Sequence, residues 1–248
     1  MSIQSSKIKH LYSYYMSKFS CKIVQLPLFH DAFKHDNKST HMQCKICTST
    51  LLMNLGHDAI SGWLLLASFF FKTKQYNSAI YILQYPLSKC TSDKMQPLQK
   101  LSPTLKRLLN LNVIRKMTLV KLWKNLLINE VLFLKNSTLI PDVLKFEVES
   151  NDFQIPAVVY IHFLLFLCHY HLNNTMQCDA SIRDLQLTIE ESFFIASSTS
   201  KYISFSVLGI ACQLKGDIES TKRIYWQSMR LQPEQELNSA FRRVALIC

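Results

Sequence analysis

The chain has 248 residues, 48% of them hydrophobic, which is enough to enclose a substantial core and excludes an intrinsically disordered protein. Four glycines and seven prolines are too few for the many tight hairpins of a sandwich or barrel, or for the glycine-rich phosphate loops of nucleotide-binding sheets. Helices remain. The charge is uneven: residues 1–125 carry 18 Lys or Arg against 4 Asp or Glu, and residues 126–248 carry 10 against 13. A cationic front half suits an acidic partner, an anionic surface or nucleic acid, and equally a set of solvated helix faces.

In chain order, the spacing predicts a helix over Ile8 to Val24, a loop around Pro27 and the polar stretch His35 to Thr40, and a second helix over His41 to Leu55. Gly56 is a stop, and Asp58 can cap the next start. Lys7, Lys9 and His10 interrupt the only region where a secretory signal could sit, so the eight cysteines are expected to be reduced and the chain cytoplasmic. Cys44-x-x-Cys47, with His41 three residues before it and His30, His35 and His57 nearby, is the strongest metal candidate. Two thiols fill only half of a zinc site, and in a helix Cys44 and Cys47 share the buried face with Thr48 and Leu51. No metal or cofactor is therefore expected.

Ile60 to Phe71 is almost wholly apolar but too short to span a bilayer, and His162, His169 and His171 punctuate Ile155 to Leu172. Both read as helices buried on nearly every side, with no membrane partner. From Asp58 the pattern turns into helix pairs. Trp63, Leu66, Ala67 and Phe70 share a face, a polar break follows at Lys72 to Gln75, and Tyr76, Ala79, Ile80 and Leu83 form the face of a second helix that ends near Pro86. A shift of 142 positions superposes Trp63 on Phe205, Leu66 on Leu208, Ala67 on Gly209, Phe70 on Cys212, Ala79 on Thr221 and Leu83 on Tyr225, with Gly216-Asp217 as the break. A weaker middle copy is read at a shift of 101: Leu164, Leu167, Cys168 and His171, a break at Asn173 to Thr175, then Ala180 and Asp184.

Between the copies, Ser102-Pro103 begins a helix to about Lys116, and Thr118 caps a longer one to about Lys135. Leu139 to Gln154 reads as a turn and polar connection, and Pro156 restarts helix. Gln235 to Ile247 could close the stack as a terminal helix whose Arg242 and Arg243 suit its carboxyl end. Residues 1–57 are expected to form an N-terminal helical segment and 58–248 a repeat domain. The densest basic tract is Lys106, Arg107, Arg115, Lys116, Lys121 and Lys124.

Small residues at the close crossings, with bulky ones filling the seam, give these pairs a resemblance to the tetratricopeptide repeat, and Gly209 to Pro233 has the right separation for that pattern's glycine and closing proline. Trp63, Leu66, Ala67, Tyr76, Ala79, Leu208, Gly209, Tyr225 and Pro233 are the packing positions. The copies are not separated by multiples of the repeat unit, so the expected fold is all-α, an irregular tetratricopeptide-like solenoid of helical hairpins. His162, His169, Phe71 and Gln213 are candidates for a groove. The positions that would clamp a terminal carboxylate hold Ser61, Leu64, Ser68, Phe71 and Lys72, then Ile203, Ser206, Ile210 and Gln213, which suits a more apolar groove.

The stretches Asp58 to Phe71, Ile155 to Tyr160 and Phe166 to Asn174, taken with Gly209 to Pro233, also make residues 45–248 similar to the helical carboxyl-terminal region of invertebrate male-abnormal-type nucleotidyltransferase proteins, relatives of cyclic GMP-AMP synthase-like receptors. That resemblance implies an accessory repeat region. The superfamily's catalytic part needs a Gly-Ser turn and a carboxylate triad on a sheet; this sequence contains no Gly-Ser pair, so no catalytic residue carries over. No serine elbow, phosphate loop or helical zinc-protease signature is present either. The expected function is non-catalytic: a protein-interaction or scaffold module for another polypeptide, a peptide or an adjoining domain. The alternative is a nucleic-acid or nucleotide-sensing accessory domain that uses the basic front half.

Overall fold

A computed structural model describes residues 3–26, 37–96 and 103–247. Its elements are α1 (Ile3–Ile23), α2 (Asn37–Met53), a 3-10 turn (Asn54–Gly56), α3 (Ser61–Lys72), α4 (Tyr76–Lys89), α5 (Pro103–Leu109), α6 (Asn112–Arg115), α7 (Leu119–Leu126), β1 (Val131–Phe133), a 3-10 helix (Asp142–Val148), β2 (Phe153–Ile155), α8 (Ala157–His171), α9 (Thr175–Glu190), α10 (Ser198–Lys215), α11 (Ile218–Leu231) and α12 (Ala240–Ala245). The protein is mostly helical, as composition required. No helix among the described residues is long and apolar enough to cross a membrane.

Three helix pairs, α3/α4, α8/α9 and α10/α11, hold most of the core. Each turns by the same hydrogen-bond pattern. Gln75 N donates to Phe70 O and Lys74 N to Phe71 O; Asn174 N donates to His169 O and Asn173 N to Tyr170 O; Asp217 N donates to Cys212 O and Gly216 N to Gln213 O. This crossed pair of bonds needs one left-handed residue, and Lys74 (φ 61°), Asn173 (φ 56°) and Gly216 (φ 86°) supply it. In the second and third turns the next residue caps the following helix: the Asn174 side chain accepts from Gln177 N, and that of Asp217 from Ser220 N.

These turns fix the register. Lys74 to Gly216 is 142 positions, as the periodicity required, but Lys74 to Asn173 is 99, so the middle copy lies two residues from the register read at 101. Cys178, not Ala180, then takes the place of Ala79, and Cys178 is the more buried of the two. Two residues is about half a helical turn, and α8 is apolar on every side, which leaves no polar face to fix its phase.

Ala67 and Ala79 are fully buried in the first pair. In the third, a Cβ on Gly209 would lie 2.4 Å from the Tyr225 ring, so only glycine lets α10 and α11 approach so closely. Tyr225 is itself fully buried and donates through its hydroxyl to Gln213 Oε1 at 2.9 Å. The pairs pack in series: α4 and α3 lie on α8, and α9 and α8 lie on α10. Ser68 Oγ and Tyr160 OH, 2.6 Å apart, join α3 to α8 in the core, and His171 stacks on Tyr76 at 4.8 Å.

The connecting region departs from expectation. The helix predicted over 102–116 is broken at Asn110 and Leu111 into α5 and α6, Leu111 being extended (ψ 135°). Thr118 does cap α7, accepting from Lys121 N, but α7 stops at Leu126, not near Lys135. Leu127 is extended, and β1 pairs antiparallel with β2 in the register Val131↔Ile155, Leu132↔Gln154 and Phe133↔Phe153. Extended backbone wins because Ile128, Val131 and Phe133 are fully buried, and Phe133 meets the buried Tyr160 edge to face at 5.3 Å. Leu139 to Gln154 is not a polar connection either: Leu139, Ile140, Leu144 and Val148 enter the core.

At the front, α1 begins at Ile3 and α2 at Asn37, each earlier than expected. Pro27 and His35 lie outside the described residues. The expected terminal helix is confined to Ala240–Ala245, and Arg243 does not face its carboxyl end in solvent: it is buried, donating to Val143 O and Glu147 Oε1.

Candidate functional site

An open groove of about 1160 Å3 lies between α1 and the start of α10. On α1, Tyr12, Tyr15, Phe19 and Lys22 follow one another by three, four and three positions and so share one helical face. The rings stay in solvent, at 65%, 61% and 59% exposure. Ser197, which caps α10, and Thr199, Ser200 and Ile203 within it border the groove as well, and Leu65, Ile128 and Val131 lie behind it, buried in the core.

Buried polar contacts set the position of α1. Gln25 spans from α1 to the ribbon: its Nε2 donates to Leu132 O, and its Oε1 accepts from Leu134 N and Ser137 Oγ. Ser17 Oγ donates to Asn54 O at 2.7 Å and accepts from Gly56 N. Across the groove, Ser200 Oγ donates to Glu130 Oε1 at 2.6 Å.

His57 and Ser61 also line the groove. His57 Nδ1 lies 3.0 Å from both Asn54 O and Ser17 Oγ, and its Nε2 lies 3.0 Å from Ser61 Oγ. A serine hydroxyl facing a histidine is the first half of a nucleophile. The second half is an oxyanion site. Here Asp58 Oδ1 accepts from the amides of Ile60 and Ser61 at 3.2 and 2.9 Å, so these two donors are taken. Asp58 Oδ2 accepts from Asn129 Nδ2. This cluster fixes the entry into α3.

A second cavity, of about 280 Å3, is lined by Glu147, Tyr202, Ser206, Asn238, Ser239 and Arg242 among others. Its groups are largely committed: Glu147 to Ser239 and Arg243, Asn238 to Ser206 and Ser228.

The four residues expected to form a groove are not brought together. Phe71 is buried beside Tyr76 and His171. His162 is buried, its Nδ1 4.0 Å from Asp184 of α9; burial holds its pKa below the usual value, opposed by the Asp184 charge. His169 is half-buried and likewise lowered by burial, and the Gln213 carbonyl is occupied by Tyr225. Among the packing positions, Trp63 meets Tyr85 at 4.6 Å, Leu66 and Leu208 are buried, and Pro233 is exposed just beyond α11.

Cys47 is buried and its thiol pushed up to about 11 by that burial, while Cys44 is half-buried on the same helix. His30 and His35 lie outside the described residues. Among the described residues no cluster of three His, Cys, Asp or Glu side chains could hold a metal ion. Lys106, Arg107, Arg115, Lys116, Lys121 and Lys124 are all exposed on α5, α6, α7 and their junctions.

The α1 stripe was open to sequence reading, since its aromatic spacing stands in a helix without a single acidic residue. Its opposite wall was not, because residues 128–132 and 196–203 reach the groove only through the fold.

No family model, curated protein or solved structure matches the chain. Fold and groove together define a mostly helical protein of three similarly turned helix pairs, with an open aromatic-walled groove at their front edge.

Proposed function

We propose that the protein is a non-catalytic, tetratricopeptide-like repeat module that docks another polypeptide or an adjoining domain in the groove between α1 and α10. One observation carries this reading: Tyr12, Tyr15 and Phe19 stand exposed on one helical face and line an open groove. Aromatic anchors around a concave apolar surface are what polypeptide interfaces concentrate their binding energy on. The repeated turn and the serial packing of the pairs support the repeat reading.

The test is site-specific crosslinking. A photoreactive phenylalanine at Tyr15 should capture a discrete polypeptide from a native lysate, and the same group at Tyr81, more exposed still on α4, should not. Equal capture at both positions, or none at Tyr15, would refute the groove as a docking site.

A second reading has its own observation. All six residues of the basic tract are exposed, and no carboxylate occurs between Asp93 and Glu130. A nucleic-acid contact there would weaken steeply with salt and would be lost on charge reversal of Lys106, Arg107 and Lys116, whereas groove docking would survive both.

A further inference from the structure

Resting on the docking reading, we propose that the occupant of the groove is an acidic amphipathic helix of another polypeptide, its apolar stripe laid against Tyr15 and Phe19 and its carboxylates facing Lys18 and Lys22.

The charge argument comes from what is already paired. Lys18 and Lys22 line the groove, are exposed, and make no ion pair among the described residues; Lys18 lies only over its neighbour Tyr14, 5.3 Å from the ring centroid. Glu130 is the one carboxylate on the groove lining, and it accepts from Ser200 Oγ. Two lysines against one carboxylate leave the lining net positive. The amino end of the 18-residue α10 opens on the same space and adds partial positive charge, which Glu130 offsets in part.

The shape argument decides between a helix and a strand. An extended peptide could add to β1 only through its outer edge, where the Gln25 amide already takes Leu132 O and Leu134 N. The helical stripe from Tyr12 to Lys22, about 15 Å long, instead matches roughly three turns of a partner helix with anchors at three- and four-residue intervals.

The test uses the full chain and fluorescent helical peptides of about fifteen residues: one with leucines at helical spacing flanked by glutamates, one with the glutamates replaced by lysines, and one with the leucines replaced by serines. Anisotropy should show the glutamate peptide binding about tenfold more tightly than the lysine peptide at low salt, the gap narrowing as salt rises, and no binding of the serine peptide. The double variant K18E/K22E, its fold verified by circular dichroism, should reverse the order of the two charged peptides. Equal binding of both, unchanged in K18E/K22E, would overturn the acidic preference and leave groove docking standing. Binding of none of them would overturn this inference, and crosslinking from Tyr15 then decides whether the docking reading falls with it. Uptake by phosphatidylserine vesicles that is lost in Y15E/F19E, with no peptide bound, would overturn it in favour of a lipid surface.

Discussion

The three helix pairs and the stretch from Pro103 to Ile155 use similar apolar side chains but hold them in different ways. In the pairs, each turn repeats one hydrogen-bond pattern and each helix meets its neighbour through residues a fixed distance away in sequence. In the intervening stretch, short elements are fixed by distant partners: Phe133 by Tyr160, the ribbon by Gln25, and Glu147 by Ser239 and Arg243. Regular structure here is a local property, and irregular structure is a property of the assembled core.

The sharpest way to break this comparison is to treat the intervening stretch as a mere tether. Phe133 is fully buried, so F133A should cost about 4 kcal/mol in urea unfolding, as a cavity in a shared core does. A loss below about 1 kcal/mol would show the stretch to be peripheral. Next in size is E147Q. It strands the Arg243 guanidinium, whose side chain is 8% exposed, and should cost about 3 kcal/mol; a neutral result would mean the pair is solvated.

Within the pairs, G209A should cost about 2 kcal/mol through overlap with Tyr225, and Y225L should relieve part of the clash in the double variant. Gly216 has open space around its missing Cβ, so G216A should cost only about 1 kcal/mol, from its left-handed backbone. In the first turn K74G, at φ 61°, should raise stability by about 0.5 kcal/mol in the same assay.

The smallest effect concerns pH. Burial holds His162 below its ordinary value of 6.5, so the unfolded chain binds the proton more readily than the folded one. The associated stability is complete above about pH 6.5 and is lost as the pH falls through the lowered folded value. H162F should flatten this acid limb, measured as the urea midpoint against pH; an unchanged limb would assign the loss to other groups.

The helix pairs were legible because two signals agree in them: apolar spacing, and breaks at Lys72 to Gln75, Asn173-Asn174 and Gly216-Asp217 where a left-handed residue was needed. The middle register slipped because a helix buried on all sides, Ala157 to Cys168, carries no phase information. Leu126 to Phe133 is a continuous apolar run broken only by Asn129 and Glu130, so neither period marks where α7 yields to extended backbone; the burial of Ile128 and Val131 decides it. The candidate site was half legible. Tyr12, Tyr15 and Phe19 announce a face, but the wall they look towards, residues 128–132 and 196–203, is assembled from more than a hundred positions away.

Hydrogen exchange of the full chain, alone and saturated with the polypeptide crosslinked at Tyr15, is the most direct examination of the docking groove. Protection concentrated in residues 12–22 and 196–203 is the predicted outcome. Protection confined to the basic segment 103–124, with α1 exchanging as in the free protein, would contradict it.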